Sequence, residues 1–160
     1  MHMATQTNIA AIVALNITTL EDGIIFWARA EKTWLGLDKT STATANSKSC
    51  YTATGGTGRW FVSSDTEVSA NTLPTGAAAT GTRWRYQENN AVNSYDSVIS
   101  FVYNGTTWVE IDARMRLHTS TPDTLTKTPN SNREIWKDTS TGMVYHAFNG
   151  GWVAGGGGVS

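Results

Sequence analysis

The sequence lacks most of the residues that a covalently stapled, metal-bound or membrane-spanning fold requires. Cys50 is the only cysteine among 160 residues, which excludes an internal disulfide framework and a cysteine-rich zinc site. The longest apolar stretch, Ile9 to Leu15, is far shorter than the ~20 residues that cross a bilayer, so we expect no membrane insertion. The first three residues contain no basic segment and no cleavage site, so we expect no secretory signal.

Charged residues are also scarce. They make up 16% of the chain, compared with ~25% in an average soluble domain, and the formal net charge is -1. The basic footprint of a nucleic-acid-binding protein is therefore missing, and we expect proteins or neutral glycans as partners. Thr, Ser, Asn and Gly fill most polar positions, and this composition favours β-strands and turns.

The N-terminal part of the chain shows two patterns of apolar residues. Between residues 8 and 20 these residues recur at the spacing of one helix face, which predicts a short helix that Thr7 or Asn8 could cap. Residues 24–28 are β-branched and aromatic and predict a strand. Residues 35–49 are polar and lack periodicity, so they predict a loop.

Tryptophan recurs together with turn residues along the rest of the chain. Residues 81–109 and 133–153 each contain a Trp, a connection, an aromatic residue before Asn-Gly, and a second Trp followed by Val. Asn-Gly between strands is a strong hairpin signal, because a type I′ turn needs positive φ at both central positions. We therefore predict hairpin tips at Asn104-Gly105 and Asn149-Gly150.

These patterns predict a mainly β protein, with a short N-terminal helix followed by small antiparallel sheets or hairpins in two or three Trp-anchored units. The C-terminal meander is predicted to comprise residues 135–137, 143–148 and 151–153. The predicted division is an N-terminal unit of residues 1–70, hairpin units of residues 71–118 and 119–154, and a flexible Gly-rich tail of residues 155–160.

The tryptophans have two interpretations. In a small unit, one indole can clamp a hairpin by burying ~150–250 Å² of surface. The predicted structural clamps are Trp60, Trp84, Trp108 and Trp136. Other aromatic rings could instead offer a platform to a sugar or to a partner protein. The candidates for such contact are Trp34, which we place near a turn, together with Tyr145 and Trp152.

Paired carboxylates are the only hint of acid–base chemistry. Glu110 and Asp112 alternate along a predicted strand and share one face. Arg114 and Arg116 continue the alternation, which favours a solvated charged edge that discourages aggregation between strands.

The remaining residues indicate neither a metal site nor a catalytic nucleophile. His118 and His146 lack the close-spaced partners of a metal site, so we interpret both as surface or half-buried polar residues. Cys50 has no basic or His neighbour that would lower its pKa, so we expect a structural role for it. We therefore expect no enzymatic activity, no metal and no cofactor.

Two groups of motifs resemble bacteriophage virion proteins. Residues 8–62, with their helix, Asp-Gly turn, apolar strand and closing Gly-Thr-Gly-Arg-Trp, resemble adaptor or head-binding modules near the N-termini of tail spikes and fibres. The C-terminal hairpin resembles short tail-fibre repeats in which Trp-x-Asp-Thr-x-Thr-Gly precedes Tyr-x-x-aromatic-Asn-Gly. The matching residues are Trp136, Asp138, Thr139, Thr141, Gly142, Tyr145, Phe148, Asn149, Gly150 and Trp152.

The resemblance implies a structural component of a virion, assembled in the host bacterial cytoplasm. The expected type is a tail, neck or fibre accessory protein that attaches to other virion proteins through an adaptor-like N-terminal unit and forms a homo-oligomer, with a trimer favoured. Heptads, a collagen-like tract and a long β-helix are missing. Two alternatives stay open, a capsid decoration (cement) protein on the head shell and a carbohydrate-binding module that contacts host surface polysaccharide.

Overall fold

A computed structural model describes residues 4–155 of the chain, and the predicted mainly β fold with one short N-terminal helix is confirmed. The helix α1 spans Ile9–Val13, and short 3-10 helices span Ile17–Thr19, Glu88–Ala91 and Pro122–Leu125. The strands are β1 Ala4–Gln6, β2 Ile25–Ala28, β3 Thr33–Asp38, β4 Cys50–Thr52, β5 Arg59–Ser63, β6 Glu67–Ala70, β7 Arg83–Gln87, β8 Val98–Tyr103, β9 Trp108–Ala113, β10 Arg116–His118, β11 Ile135–Asp138, β12 Val144–Phe148 and β13 Gly151–Ala154. The predicted tail lies outside the described residues except for Gly155.

Hydrogen bonds join the strands of residues 4–155 into three sheets, with the orders β1-β2-β3-β5-β4, β6-β7-β8-β9 and β10-β11-β12-β13. The predicted meander is confirmed, because β11, β12 and β13 pair antiparallel in succession. Two parallel pairs add to the predicted hairpins, since β1 pairs parallel with β2 and β10 pairs parallel with β11. These parallel pairs join segments that are distant in sequence.

The N-terminal helix is shorter than its apolar pattern predicts. Asn8 caps α1, as predicted, because its Oδ1 accepts a hydrogen bond of 2.8 Å from the backbone N–H of Ala11. The side chain of Asn16 ends the helical region early. Its Oδ1 accepts from both the backbone N–H and the hydroxyl of Thr18, and this local bonding caps a separate 3-10 helix.

The predicted loop of residues 35–49 is wrong at its start. β3 covers Thr33–Asp38, and its side chains are alternately buried and more exposed, as expected of a strand with one face on a core. Trp34 therefore lies on a strand, and it is near a turn as predicted, because residues 29–32 form the turn before β3. The alternation was hidden because the exposed positions of the strand are occupied by Trp34 and Gly36, neither of which is polar.

The two Asn-Gly sequences form different turns. Asn149 and Gly150 have φ values of 50° and 77°, so positive φ occurs at both positions, as a type I′ hairpin requires. Asn104 and Gly105 lie at the tip between the neighbouring strands β8 and β9, as predicted, but Asn104 is not among the positive-φ residues, so the turn is not type I′. Its Oδ1 instead accepts from the backbone N–H groups of Thr106 and Thr107, which closes a wider turn.

The described chain divides into two compact units. Unit 1 consists of residues up to 67 together with 75–83 and 102–109. Unit 2 consists of residues 68–74, 84–101 and those from 110 onwards. The edges of these units differ from the predicted boundaries at 70/71 and 118/119. Whether the predicted units fold independently stays a prediction.

Candidate functional site

Unit 2 contains a fully buried ion pair between Arg116 on β10 and Glu134, which precedes β11. The Arg116 Nε lies 2.7 Å from Glu134 Oε2, and the Nη2 lies 3.0 Å from Oε1, so the contact is bidentate. Both side chains are 0% exposed. The prediction that Arg116 lies on a solvated edge is wrong, because it pairs in register with the buried Trp136 and Glu134 neutralises its charge there.

Two further donors satisfy the Glu134 carboxylate. The buried Ser97 hydroxyl donates to Oε2 over 2.7 Å, and the backbone N–H of Asn130 donates to Oε1 over 2.6 Å. A carboxylate that Arg116 already neutralises is a poor base for the Ser97 proton, and Ser97 itself is 0% exposed. The arrangement resembles a nucleophile beside a carboxylate, but its burial and hydrogen bonding suit a structural role.

A second charged group in unit 2 is centred on Lys127. Its Nζ lies 3.3 Å from Glu88 Oε2 and 3.4 Å from Asp96 Oδ1, and it lies over the ring of Tyr95. Burial acts to raise the pKa of Asp96. Hydrogen bonds from Asn93, Asn89 and Lys127 outweigh burial, and the pKa of Asp96 is lowered.

The predicted contact residue Trp152 is already engaged within unit 2. Its Nε1 donates to the carbonyl of Lys127 over 2.8 Å, and its ring meets Trp136 at a centroid distance of 5.9 Å. The guanidinium carbon of Arg116 lies 5.5 Å from the same ring. Tyr145 is half-buried opposite Trp136 in the register of β11 and β12. Trp152 therefore lies against the buried ion pair, whereas Trp136 separates Tyr145 from Arg116 in the sheet.

The predicted clamps differ in depth and in bonding. Trp60 in unit 1 and Trp136 in unit 2 are 0% exposed. Trp136 donates to the carbonyl of Ser120 over 2.9 Å, whereas the buried Nε1 of Trp60 has no hydrogen-bond partner. Trp84 and Trp108 are half-buried, and their Nε1 atoms donate to the carbonyls of Thr72 and Gly76 respectively.

Trp34 lies on the outer face of the five-stranded sheet in unit 1. It is 37% exposed, and its ring contacts that of its cross-strand partner Trp27 at a centroid distance of 4.3 Å. Two residues further along β3, Gly36 pairs with Ile25 and Phe61, and no atom lies within 4 Å of the place where a Cβ would point. The two indoles therefore border an open glycine position.

The β10–β13 sheet of unit 2 has a largely apolar outer face. Residues that pair directly across strands point to the same side. The outer face comprises Leu117, Ile135, Lys137, Val144, His146, Phe148 and Val153. Leu117, Phe148 and Val153 are 38%, 63% and 52% exposed, so this face leaves large apolar side chains in contact with solvent.

The remaining candidates take up ordinary surface or core roles. Glu110 accepts from the Ser131 hydroxyl and lies 3.3 Å from Arg133, while Asp112 is exposed. Burial is the main reason that the pKa of the Cys50 thiol is raised. His118 contacts the rings of Tyr95 and Trp136, and His146 is exposed.

Sequence reasoning missed the buried polar residues Asp96, Ser97 and Glu134 of unit 2, and it missed the half-buried Lys127 that pairs with Asp96. Nothing near Glu134 in the sequence marks its partner, which lies far away on β10. Within residues 4–155 no group of three or more His, Cys, Asp or Glu could hold a metal ion. Among the same residues, no helix is both long enough and apolar enough to cross a membrane. No protein-family model, curated protein or solved structure matches this chain.

Proposed function

We propose that this chain is a structural component of a bacteriophage virion, of the tail, neck or fibre type, and that it acts by packing against other virion proteins. The proposal combines the sequence resemblance with one structural observation, the apolar outer face of the β10–β13 sheet. Exposed apolar patches on soluble proteins commonly mark contact surfaces. An aromatic residue such as Phe148, 63% exposed, is the kind of side chain that dominates binding energy at an interface.

The buried charges of unit 2 support the same proposal. Glu134 accepts from both Arg116 and Ser97, and all three are closed to solvent, so they are suited to holding strands and loops in place. A rigid scaffold with an apolar outer face meets the needs of an assembly protein. Substrate turnover would need an accessible reactive group.

The test is incorporation into particles. Replacing both Phe148 and Val153 by Ser should lower the number of copies per purified phage particle roughly tenfold, because it removes apolar anchors from the contact. Val92→Ser is the matched control, since Val92 is 76% exposed but lies outside the outer face. Copies are counted by quantitative mass spectrometry. Equal incorporation of both variants would remove the outer face from the proposal, and absence of the wild-type chain from particles would overturn the proposal itself.

A density map of the intact particle separates the positions on the virion. A tail, neck or fibre protein should occupy a few sites on one axis of the particle. A cement protein should instead cover the head shell in many copies.

The exposed Trp34, which packs against the half-buried Trp27, favours a second candidate function, binding of host surface polysaccharide. A sugar face could stack on Trp34 above the open position at Gly36. Titration of the chain with host polysaccharide should then change the intrinsic tryptophan fluorescence. Trp34→Ala should abolish the change, and Trp34→Phe, which keeps an aromatic face, should retain part of it. A flat titration of the wild-type chain would exclude this function.

A further inference from the structure

An open groove of about 790 Å³ lies beside α1 in unit 1. Ile9, Ala10, Val13 and Ala14 of the helical segment form one wall. Both ends of α1 are fixed by side chains. The Oε1 of Glu31 accepts from the backbone N–H of Ile9 over 3.0 Å, and the Thr54 hydroxyl donates to the carbonyl of Val13 over 2.8 Å.

The strand order shows how the groove is oriented. Thr33 on β3, Val62 on β5 and Tyr51 on β4 all line it, and these three strands are neighbours in the order β3-β5-β4. The groove therefore crosses the strands and follows α1. Glu31, in the β2–β3 turn, holds the N-terminal end of α1, and Thr54, after β4, holds its C-terminal end.

The two charged residues of the groove lie at its opposite ends. Glu31 lies in the turn before β3, and Lys48 lies just before β4. Because Trp34 pairs with Ser63 and Cys50 pairs with Phe61, the starts of β3 and β4 lie at the same end of the sheet. With β5 between them, these strands are two spacings apart, which is roughly 10 Å. The groove thus has an acidic end at Glu31 and a basic end at Lys48.

We propose that this groove is the docking surface for a second copy of the chain, with two grooves facing each other about a two-fold axis. In such an isologous contact each patch meets itself in reverse order. Glu31 of one copy then faces Lys48 of the other at one end of the contact. At the other end, Lys48 of the first copy faces Glu31 of the second. One acidic and one basic residue flanking an apolar strip make the patch self-complementary.

The helical wall fits the same arrangement. Ala10 and Ala14 are exposed and lie one turn apart, so they are on the same side of the helical segment. Their small side chains allow two α1 segments to approach closely across the axis, and Ile9 and Val13 supply apolar area beside them. The two-fold contact involves unit 1 alone and does not depend on the proposed virion function. It also differs from the trimer that the sequence resemblance implies.

The first test is the mass of the full chain in solution, measured by sedimentation equilibrium over a range of concentrations. We expect a species of about twice the 17.3 kDa chain mass. Lys48→Glu places two carboxylates opposite each other at both ends of the contact, so the dimer dissociation constant should rise about tenfold or more. Arg29→Glu is the matched control, because Arg29 is exposed and lies in the same turn as Glu31 without lining the groove.

Mixing two variants sharpens the test. Lys48→Glu and Glu31→Lys should each dimerise more weakly than the wild-type chain when alone. An equimolar mixture should form heterodimers, because opposite charges then face each other at both ends of the contact. Circular dichroism checks that Glu31→Lys still folds after losing the contact to Ile9. If it does not fold, Ala10→Arg replaces it, and this variant should be monomeric because its bulk fills the groove. A wild-type monomer or trimer at all concentrations, or equal effects of Lys48→Glu and Arg29→Glu, would overturn the proposal.

Discussion

Units 1 and 2 differ in whether they bury charged side chains. Among the described residues of unit 1 no charged side chain is buried. Its hydrophobic core consists of Ile12, Ile17, Phe26, Ala28, Leu35, Leu37, Ala53, Trp60 and Val62. The buried residues of unit 2 include Asp96, Arg116, Glu134 and Asp138. Apolar packing tolerates changes of partner as long as volume is kept, whereas a buried ion pair requires one specific geometry. Unit 1 therefore depends on close packing, and unit 2 depends on paired polar groups.

The largest expected effect comes from breaking the ion pair of unit 2. Glu134→Ala leaves the guanidinium of Arg116 buried and unpaired, so the free energy of unfolding should fall by about 3–5 kcal/mol. Urea unfolding followed by tryptophan fluorescence measures the loss. Arg133→Ala is the control, because Arg133 is 61% exposed and its pair with Glu110 should contribute less than about 1 kcal/mol.

A double replacement, Arg116→Met with Glu134→Leu, sharpens this prediction by exchanging the buried ion pair of unit 2 for apolar side chains like those in the core of unit 1. It should cost less than Glu134→Ala alone, because no unpaired charge remains. Equal losses for Glu134→Ala and Arg133→Ala would show that unit 2 does not depend on the buried pair.

The next largest effect compares the two fully buried tryptophans. Trp60→Phe removes an indole N–H that has no partner, while Trp136→Phe leaves the carbonyl of Ser120 without its donor. The loss of unfolding free energy should therefore be greater for Trp136→Phe by about 1–3 kcal/mol. Thermal unfolding of both variants by circular dichroism gives the difference. Equal losses would mean that packing dominates in unit 2 as it does in unit 1.

The smallest effect is the pH dependence of unit 2. The pKa of Asp96 is lower in the folded chain than its ordinary value, so its ionised form stabilises the fold above about pH 4. That contribution is lost as the pH falls through the lowered folded pKa. Asp96→Asn should cost about 1 kcal/mol at neutral pH, and the difference from the wild-type chain should shrink below about pH 4.

Urea unfolding of both chains between pH 2.5 and 7 measures this difference. A constant difference over the whole range would contradict the role of the Asp96 charge. The side-chain amide of Asn keeps an acceptor for the backbone N–H of Asn93. The comparison therefore tests the charge together with the oxygen that accepts from Asn89 and Lys127.

Local patterns explain most of what the sequence predicted. The cap at Asn8, strand β2 and the type I′ turn at Asn149-Gly150 each depend on neighbouring residues, and the structure confirms them. The same locality explains why the hairpin tip at Asn104 is not a type I′ turn, because hydrogen bonds from the backbone of Thr106 and Thr107 favour another turn. A dipeptide favours a turn type, but the neighbouring residues decide it.

Distant pairings account for what the sequence could not predict. The parallel partners of β1 and β10 follow long connections that have no sequence signature of their own. Burial of Arg116 depends on Glu134, and burial of Asp96 depends on Lys127, so each side chain looks like a surface residue until its partner is known. The outer face and the groove likewise combine residues from several elements.

The single cysteine gives the chain a built-in kinetic probe. Cys50 is 3% exposed and lies on β4, the edge strand of the five-stranded sheet, and burial keeps its thiol protonated beyond the usual pH range. A thiol reagent can therefore react only after β4 leaves the sheet, and the labelling rate reports how often this edge opens. Because Lys48 and Tyr51 beside it line the groove, any molecule docked there should slow the labelling of a residue it does not touch.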